Sequence, residues 1–525
     1  MARVLVADPI AETGIELLGR EHEVEVRPGL SESELAEALA GVSALIVRSQ
    51  TRVTRPALAA AAELRVIARA GVGVDNIDVE AATERGITVV NAPLANTLSA
   101  AEHAFGLMLA LARNIPQGDA SLRGGAWERG RLQGVELAGR TLGIVGLGRI
   151  GSEMARRARA FEMELLGYDP FVPAERARSL GVELVELVEL FARSDFVTLH
   201  SALLEETRGL VSAELLARAK PGLRLINAAR GGLVDEAALL AAVRSGRIAG
   251  AAVDVFSSEP AVGNILTTDP RIVVTPHLGA STAEAQDRAA LTVVEQVLDI
   301  LAGGAARFSV NAPLADPETM AVLGPFLAAA RLAASVAVQL APGGPRRARV
   351  EYHGEMGSLD VTPLRASVIV GLLAHITEER VTAVNAPQLA RARGLELDEE
   401  RAAAVEPYAN LIRVHVYSEG GEASVATTHT VGGVRIVGID DYEVELSPRQ
   451  TPYLLAIENL DRPGAVGQVG SQLGELAVNI NSMSVAAGAA DHALMMLGVT
   501  RALTPGELRH VSALDNVYAV RQVEL

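Results

Sequence analysis

The sequence predicts an α/β protein built on two doubly wound parallel sheets, with two smaller α+β units after them. Segments of strand and helix character alternate over residues 1–97 and again from residue 141 to about 275, which indicates parallel strands joined by helices. The final stretch, residues 453–525, has the length and pattern of one β-α-β-β-α-β module. At 525 residues, the chain is long enough for three or four domains of roughly 100–200 residues each.

The composition argues against several classes of function. Apolar residues make up 49% of the chain but aromatic residues only 3%, so alanine, valine and leucine must fill the cores. A net charge of −17 argues against nucleic acid or an anionic membrane as a partner. The chain has no cysteine, which rules out disulfides and a cysteine nucleophile, and we expect no metal site. Apolar runs stay well below 18 residues without a charge and the N-terminus reads as a strand, so we expect a cytoplasmic protein that does not span a membrane.

Two arginines follow strands of the first alternating stretch. Strands are predicted at residues 4–7, 23–26, 44–47, 65–68 and 88–90, and a helix at 32–40 begins with a capping box of Ser31 and Glu34. Arg48 and Arg69 come directly after the third and fourth of these strands. Because ligands of such sheets lie beyond the carboxyl ends of the strands, the pair favours binding of phosphate or carboxylate. Each arginine taken alone fits a solvated surface position at least as well.

The chain is organised around a glycine-rich turn between a strand and a helix. Gly146, Gly148 and Gly151 follow an apolar run at residues 142–145 that is predicted to be a strand. In a dinucleotide site the first glycine permits the tight turn, the second lets the backbone approach the pyrophosphate, and the third lets helix and strand pack closely. Asp169 ends the next strand, 18 residues beyond Gly151, and about 20 is typical of the acidic residue that binds the adenosine ribose. The pattern predicts NAD rather than NADP, with an ordinary strand-end turn as the alternative.

Residues suited to hydride transfer follow three later strands, predicted at 223–226, 250–253 and 272–274. Arg230 would hold the carboxylate of a 2-oxo acid and polarise its carbonyl. His277 would exchange the hydroxyl proton, and Glu259 would fix the tautomer of that imidazole. Separately, these residues also fit a surface ion pair, a core histidine and a turn. Their shared placement at strand ends favours a catalytic group.

Five segments carry a resemblance to a known family: residues 69–76 (Arg-Ala-Gly-Val-Gly-Val-Asp-Asn), 146–151 (Gly-Leu-Gly-Arg-Ile-Gly), 227–236 (Asn-Ala-Ala-Arg-Gly-Gly-Leu-Val-Asp-Glu), 254–260 and 276–282 (Pro-His-Leu-Gly-Ala-Ser-Thr). As a set, they resemble the D-isomer-specific 2-hydroxyacid dehydrogenases. The resemblance implies a Rossmann-type NAD domain and a flavodoxin-like substrate domain, with Arg230, Glu259 and His277 catalytic and His277 as the acid/base. It also implies that the following residues contact NAD: Val72, Gly146, Gly148, Arg149, Ile150, Gly151, Asp169, Ser201, Ala228, Asp254 and Gly279.

The whole chain resembles the long members of this family that oxidise 3-phospho-D-glycerate to 3-phosphooxypyruvate, the entry to L-serine synthesis. The resemblance implies that Arg48, Arg69 and Asn96 contact the substrate. It further implies that Arg129, beside Trp127, reaches across the interface of a homodimer or tetramer. Two alternatives stay open: an enzyme for another D-2-hydroxyacid, such as hydroxypyruvate, glyoxylate or 2-hydroxyglutarate, or an NAD-sensing protein without activity.

The predicted domains are a substrate-binding domain (1–97 and 287–314), an NAD-binding domain (98–286), an intervening domain (315–448) and a C-terminal domain (452–525). The last resembles an ACT domain, a small regulatory fold that pairs between subunits. The resemblance implies an L-serine site formed by Asn459, Asp461 and Asn479. The segment Asp-Arg-Pro-Gly that begins at Asp461 is explained equally well as a turn.

Overall fold

The computed structural model describes residues 1–304, 306–313, 315–341, 343–448, 451–488 and 491–525. These residues form two parallel sheets, then a mixed sheet, then an antiparallel sheet. The arrangement confirms the predicted fold class.

The first sheet contains strands β1 (Arg3–Val6), β2 (Glu23–Val26), β3 (Ala44–Val47), β4 (Val66–Arg69) and β5 (Thr88–Asn91), joined by helices α1 (Glu12–Gly19), α2 (Glu32–Ala38), α3 (Arg55–Ala59) and α4 (Val79–Glu84). All strands are parallel, in the order β2-β1-β3-β4-β5. The predicted capping box of Ser31 and Glu34 is present at the start of α2. Because the strand order reverses at β1, a crevice opens between the carboxyl ends of β1 and β3.

The chain passes to the second sheet through helices α5 (Thr97–Arg113) and α6 (Ile115–Arg123). This sheet and its helices comprise β6 (Thr141–Val145), α7 (Arg149–Ala160), β7 (Glu164–Tyr168), α8 (Ala174–Ser179), β8 (Glu183–Leu184), α9 (Leu187–Arg193), β9 (Phe196–Leu199), α10 (Ala213–Arg218), β10 (Arg224–Asn227), α11 (Glu236–Arg244), β11 (Gly250–Val253) and β12 (Ile272–Val274). The parallel order β12-β11-β10-β9-β6-β7-β8 reverses between β6 and β9. The glycine turn follows β6 and therefore lies at the point of reversal, where such sheets bind ligands.

Helix α12 (Ala283–Leu301) carries the chain back to the first sheet. Its buried residues Val293 and Val297 share a core with Val4 and Val66 of that sheet. The first sheet is therefore completed by residues that lie almost 200 positions beyond its last strand in the sequence.

The third sheet and its helices comprise α13 (Pro317–Leu323), α14 (Leu327–Leu340), β13 (Pro345–Gly354), α15 (Thr362–Leu373), α16 (Ala386–Ala392), β14 (Glu396–Ala402), β15 (Asn410–Ser418), β16 (Gly421–Thr430), β17 (Gly433–Ile439) and β18 (Tyr442–Leu446). The strand order is β14-β13-β15-β16-β17-β18. Hairpins closed by the pairs Ser418–Gly421 and Thr430–Gly433 join β15 to β16 and β16 to β17. Strand β14, with the sequence Glu-Leu-Asp-Glu-Glu-Arg-Ala, was not predicted, because its charged pattern gives no strand signal; it forms the parallel edge of the sheet beside β13.

The fourth sheet has the predicted β-α-β-β-α-β order: β19 (Tyr453–Leu460), α17 (Ala465–Glu475), β20 (Ile480–Ala487), β21 (His492–Val499), α18 (Pro505–Ser512) and β22 (Val517–Glu524). Its antiparallel strands lie in the order β20-β21-β19-β22. Leu454 and Val523 belong to one apolar core with Leu340 and Val414 of the preceding unit. The third and fourth sheets therefore share a core.

One helical stretch in the described residues, Glu318–Leu340, is long and apolar enough to cross a membrane by length and composition alone. Half of its most apolar window is buried in the protein, where Ala330, Ala333 and Ala337 pack in the core beneath the third sheet. Arg331 interrupts the apolar run. The stretch has the packing of a core helix.

Candidate active site

The glycine turn has the backbone geometry of a dinucleotide cradle. Gly146 has a φ of 92°, a backbone angle that residues with a side chain rarely adopt. A Cβ at Gly151 would lie 2.0 Å from the carbonyl oxygen of Gly146, so a side chain is excluded there as well. A Cβ at Gly148 would meet nothing within 4 Å, so the approach to this residue is open. The N–H groups of Arg149 and Ile150 belong to the first turn of α7, where they lack partners within the helix and attract an anion. These residues fit a pyrophosphate.

The carboxylate of Asp169 is fixed beside this cradle. Its Oδ2 accepts a hydrogen bond from the N–H of Leu147 at 2.8 Å, and its Oδ1 accepts one from the N–H of Phe171 at 2.9 Å. The first bond ties the end of β7 to the glycine turn. The carboxylate consequently lies where the adenosine ribose of a dinucleotide is expected.

The other predicted cofactor residues of the second sheet lie along the same edge. Ala228 and Asp254 follow strands β10 and β11 directly, Ser201 lies two residues after β9, and Gly279 follows β12. Val72 lies after β4 of the first sheet, where its carbonyl accepts a bond from the side chain of Asn91 at 2.6 Å. The structure therefore brings residues from four neighbouring strands of the second sheet to one edge.

His277 and Glu259 form a hydrogen-bonded pair. Nδ1 of His277 lies 2.8 Å from Oε2 of Glu259, and about half of the histidine side chain (48%) remains exposed. The other carboxylate oxygen of Glu259 accepts the N–H of Phe256 at 3.1 Å, which fixes the carboxylate. Because Nδ1 faces the carboxylate, Nε2 is left to exchange a proton with a ligand. His277 also has a φ of 55°, a left-handed backbone that is unusual for this residue type.

Three arginines that were predicted to bind substrate, Arg48 and Arg69 of the first sheet and Arg230 of the second, form one positive cluster. Arg69 is largely buried, and its Nε has no hydrogen-bond partner in the described part of the chain. Burial and the neighbouring charges of Arg230 and Arg48 lower the pKa of Arg69 to about 10. Guanidinium groups that repel one another at close range, in a chain of net charge −17, indicate a site for an anion.

Asp75, which the sequence analysis did not select, faces this cluster. Its Oδ2 lies 3.6 Å from Nε of Arg230, so an ion pair links the first sheet to the second. A Cβ at Gly73 would lie 2.5 Å from the same guanidinium. A side chain at position 73 would therefore force the end of the Arg230 side chain to move.

The loop that carries Arg48 is clamped from two sides. Buried Asp8, after β1, accepts hydrogen bonds from the N–H groups of Arg48 (2.5 Å) and Thr51 (3.2 Å). The amide of Asn76 donates to the carbonyls of the same two residues at 2.7 and 2.6 Å. Asp8 lies next to the end of β1, and Asn76 lies inside the motif at 69–76. Those two positions are the sequence signals that could have marked them as residues of the site.

Asp254 is completely buried beside the turn that carries His277. Its carboxylate accepts bonds from the N–H groups of Leu278 (2.7 Å) and Gly279 (2.9 Å), and from the side chains of Thr275 and His103. Burial opposes ionisation of Asp254, but these hydrogen bonds outweigh it and hold the pKa below its ordinary value. The Asp254 carboxylate therefore accepts its hydrogen bonds from donors within the protein.

In the described part of the chain, no hydrogen bond or ion pair joins the remaining predicted residues to this cluster. Asn96 is the N-cap residue of α5, where its backbone carbonyl accepts the hydroxyl of Ser99. Arg129 and Trp127 are exposed after helix α6, itself without a buried residue.

Of the three residues predicted to bind L-serine, Asn459 is buried, whereas Asp461 and Asn479 are exposed. Asn459 pairs with Ala493 at the start of β21, while the strand that begins after Asn479 pairs with the end of β21 at Val499. Six residues separate these partners, or about 20 Å along an extended strand. One chain therefore does not bring Asn459 and Asn479 together.

Comparison with known families identifies two segments. Residues 105–279 match the NAD-binding domain of the D-isomer specific 2-hydroxyacid dehydrogenases. Residues 322–440 match the intervening domain of D-3-phosphoglycerate dehydrogenase.

Curated relatives match over the full chain. The D-3-phosphoglycerate dehydrogenase of Methanocaldococcus jannaschii is 41% identical over 527 residues, covering 100% of both chains. The chain belongs to the D-3-phosphoglycerate dehydrogenase family. The Bacillus subtilis member is 38% identical over 528 residues, again covering 100% of both chains.

Solved structures match the part of the chain that holds the first two sheets. A glyoxylate reductase from Paecilomyes thermophila is 32% identical, with a TM-score of 0.54, over 59% of this chain and 98% of that one. D-lactate dehydrogenase from Escherichia coli is 29% identical, with a TM-score of 0.53, over 59% of this chain and 99% of that one. Together with the geometry of the glycine turn and Asp169, the family match assigns NAD as the cofactor.

Proposed function

We propose that this chain is an NAD-dependent dehydrogenase that oxidises 3-phospho-D-glycerate to 3-phosphooxypyruvate, the first step of L-serine synthesis. The observation that carries the proposal is the hydrogen-bonded pair of His277 and Glu259, and the charges of Arg48 and Arg230 that act on Arg69 support it. The substrate carries both a carboxylate and a phosphate, and this cluster offers guanidinium groups on both sides of a cleft. The full-length relatives bear the name of this activity.

The catalytic roles follow from the geometry. Nε2 of His277 accepts the proton of the C2 hydroxyl, because Nδ1 is held by Glu259. The adjacent carboxylate stabilises the imidazolium that forms. Arg230 holds the substrate carboxylate and polarises the developing carbonyl. The glycine turn and Asp169 would hold NAD, which would supply the acceptor for the C2 hydride.

The first sheet supplies the remaining charge. Arg48 and Arg69 neutralise the phosphate, and the clamp of Asp8 and Asn76 holds the loop of Arg48 in place. We assign Asn96 to the same side of the cleft because it begins α5, where the chain crosses from one sheet to the other.

The test measures NADH formation with 3-phospho-D-glycerate and with a panel of 2-hydroxyglutarate, glycolate and D-glycerate. We expect kcat/KM to be at least about 10-fold higher for the phosphorylated acid, since one charge-assisted contact is worth that factor. Preference for an unphosphorylated acid would reassign the substrate within the same reaction. No turnover of any member would favour an NAD-sensing protein.

We further propose a homo-oligomer, a dimer or tetramer, that L-serine regulates in the cytoplasm. Exposed Ile115, Leu122 and Trp127 give α6 and the loop after it an apolar surface suited to a second copy, with Arg129 at its border. The separation of Asn459 from Asn479 supports an effector site completed by another chain. Repeating the assay with L-serine tests the regulation, and light scattering tests the oligomer.

A further inference from the structure

A histidine of helix α5 hydrogen-bonds to residues next to the catalytic turn. Nε2 of His103, in the second turn of α5, lies 3.1 Å from Oδ1 of Asp254 and 3.2 Å from the hydroxyl of Thr275. That hydroxyl donates to the same carboxylate oxygen at 2.6 Å. Because a buried carboxylate accepts, Nε2–H of His103 is the donor to Asp254.

Asp254 holds the turn after β12 on both sides of His277. Its backbone carbonyl accepts the N–H of His277 at 2.9 Å. Its carboxylate accepts the N–H groups of the next two residues, Leu278 and Gly279. These three bonds oppose relaxation of the left-handed backbone at His277, which costs energy in a residue other than glycine. The direction of the imidazole therefore depends on the placement of the Asp254 carboxylate.

His103 supplies one of the four donors that fix this carboxylate. The other three come from the end of β12 and the turn after it, so among the described residues His103 is the donor that connects the carboxylate to a different element. That element, α5, is one of the two helices through which the chain crosses between the first and second sheets. A movement of the sheets that turns α5 would reach His277 through this bond.

We propose that His103 is a positioning residue: by hydrogen bonding to Asp254, it fixes the turn that carries His277 and couples that turn to helix α5. The inference rests on the proposed role of His277 as the acid/base. It assigns to buried Asp254 a role in placing the catalytic histidine.

The test compares His103→Leu, which removes the donor, with His103→Gln, whose amide nitrogen can still donate to Asp254. Loss of a hydrogen bond to a charged group should lower kcat by about 10- to 100-fold in His103→Leu. The KM for the acid and the Kd for NADH, measured by fluorescence titration, should change by less than about 3-fold, because His103 itself is not among the predicted substrate or NAD contacts. His103→Gln should recover kcat to within about 3-fold of the unmodified protein.

Glu102→Gln serves as the matched control. Glu102 is the neighbour of His103 on α5, but it pairs with Arg157 of α7 at 2.9 Å and should leave kcat unchanged. Thermal melts of all variants identify any that fail to fold. If His103→Leu is among them, the kcat of His103→Gln still tests whether a donor at this position is sufficient.

Two results would overturn the inference: a folded His103→Leu with the kcat of the unmodified protein, or a folded His103→Gln as impaired as His103→Leu. A fall in NADH affinity that accounts for the whole loss of rate would also overturn it. Rates are taken with the best acid of the panel, so failure of 3-phospho-D-glycerate as the substrate counts against the proposed function alone.

Discussion

Nδ1 of His277 lies 2.8 Å from Oε2 of Glu259, and the two residues come from different strand ends, 18 positions apart in the chain. The contact leaves one imidazole nitrogen free for the substrate and assigns the other to a carboxylate. A histidine held in this way can take up a proton in the transition state without changing its orientation.

Replacing His277 by alanine should reduce kcat by about 10²- to 10⁴-fold, the range expected for loss of a general base. Binding of NADH should persist, because the glycine turn and Asp169 are untouched. Steady-state rates and fluorescence titration measure the two effects. Loss of NADH binding together with activity would mean that His277 is structural.

Replacing Arg48 by alanine should raise the KM for 3-phospho-D-glycerate by about 10- to 100-fold, because a charge-assisted contact to the phosphate is lost. The KM for unphosphorylated acids should change much less. Arg85→Ala, an exposed arginine at the end of α4, is the control. An equal effect on both kinds of acid would remove Arg48 from the phosphate site.

Replacing Asp169 by serine should reduce the preference for NAD over NADP by about 10-fold or more, because the carboxylate that repels a 2′-phosphate is removed. The ratio of kcat/KM for the two cofactors is the measurement. An unchanged ratio would exclude Asp169 from the ribose site.

Acid should destabilise the protein partly through His200. Burial lowers the pKa of this residue to about 3, whereas an unfolded histidine titrates near 6.5. Between these values the unfolded chain binds a proton that the folded chain does not, so stability is complete above about pH 6.5 and falls below it. The loss is at most about 1.4 kcal/mol per pH unit, because the unfolded chain takes up one extra proton at this residue. Urea unfolding at several pH values should show a weaker slope for His200→Gln; an equal slope would contradict the assignment.

Serine inhibition should show complementation between chains. Asn459→Ala and Asn479→Ala should each abolish inhibition without changing the basal rate. A mixed dimer of the two variants keeps one intact site if each site takes one asparagine from each chain. Partial inhibition should therefore return when the variants are co-refolded. Confirmed mixed dimers without inhibition would refute a shared site.

Local sequence signals were sufficient to predict the scaffold of the site. Strands β2, β3, β11 and β12 lie at the predicted residues, because buried parallel strands are short apolar runs ended by turn residues. The glycine spacing and the polar residues after each strand likewise depend on neighbouring residues alone. Strand β14 was missed because its pairing with β13, rather than its own composition, makes it a strand.

Contacts between distant elements could not be predicted in the same way. His103 and Asp254 are 151 positions apart, and nothing in the local sequence around His103 marks it as a partner of a buried carboxylate. The ion pair of Asp75 with Arg230 depends likewise on how two sheets approach each other. Such pairs are fixed by tertiary packing, on which periodicity and spacing carry no information.

The return of α12 to the first sheet has a consequence for how the protein is made. Val4, Val66 and their neighbours lose water only when Val293 and Val297 cover them, and ribosomes add residues at about 5–20 per second. One face of the first sheet thus stays open for many seconds while the entire second sheet is synthesised. The second sheet, whose strands and helices are contiguous in the chain, can fold first and leave the first sheet to close afterwards around a late helix.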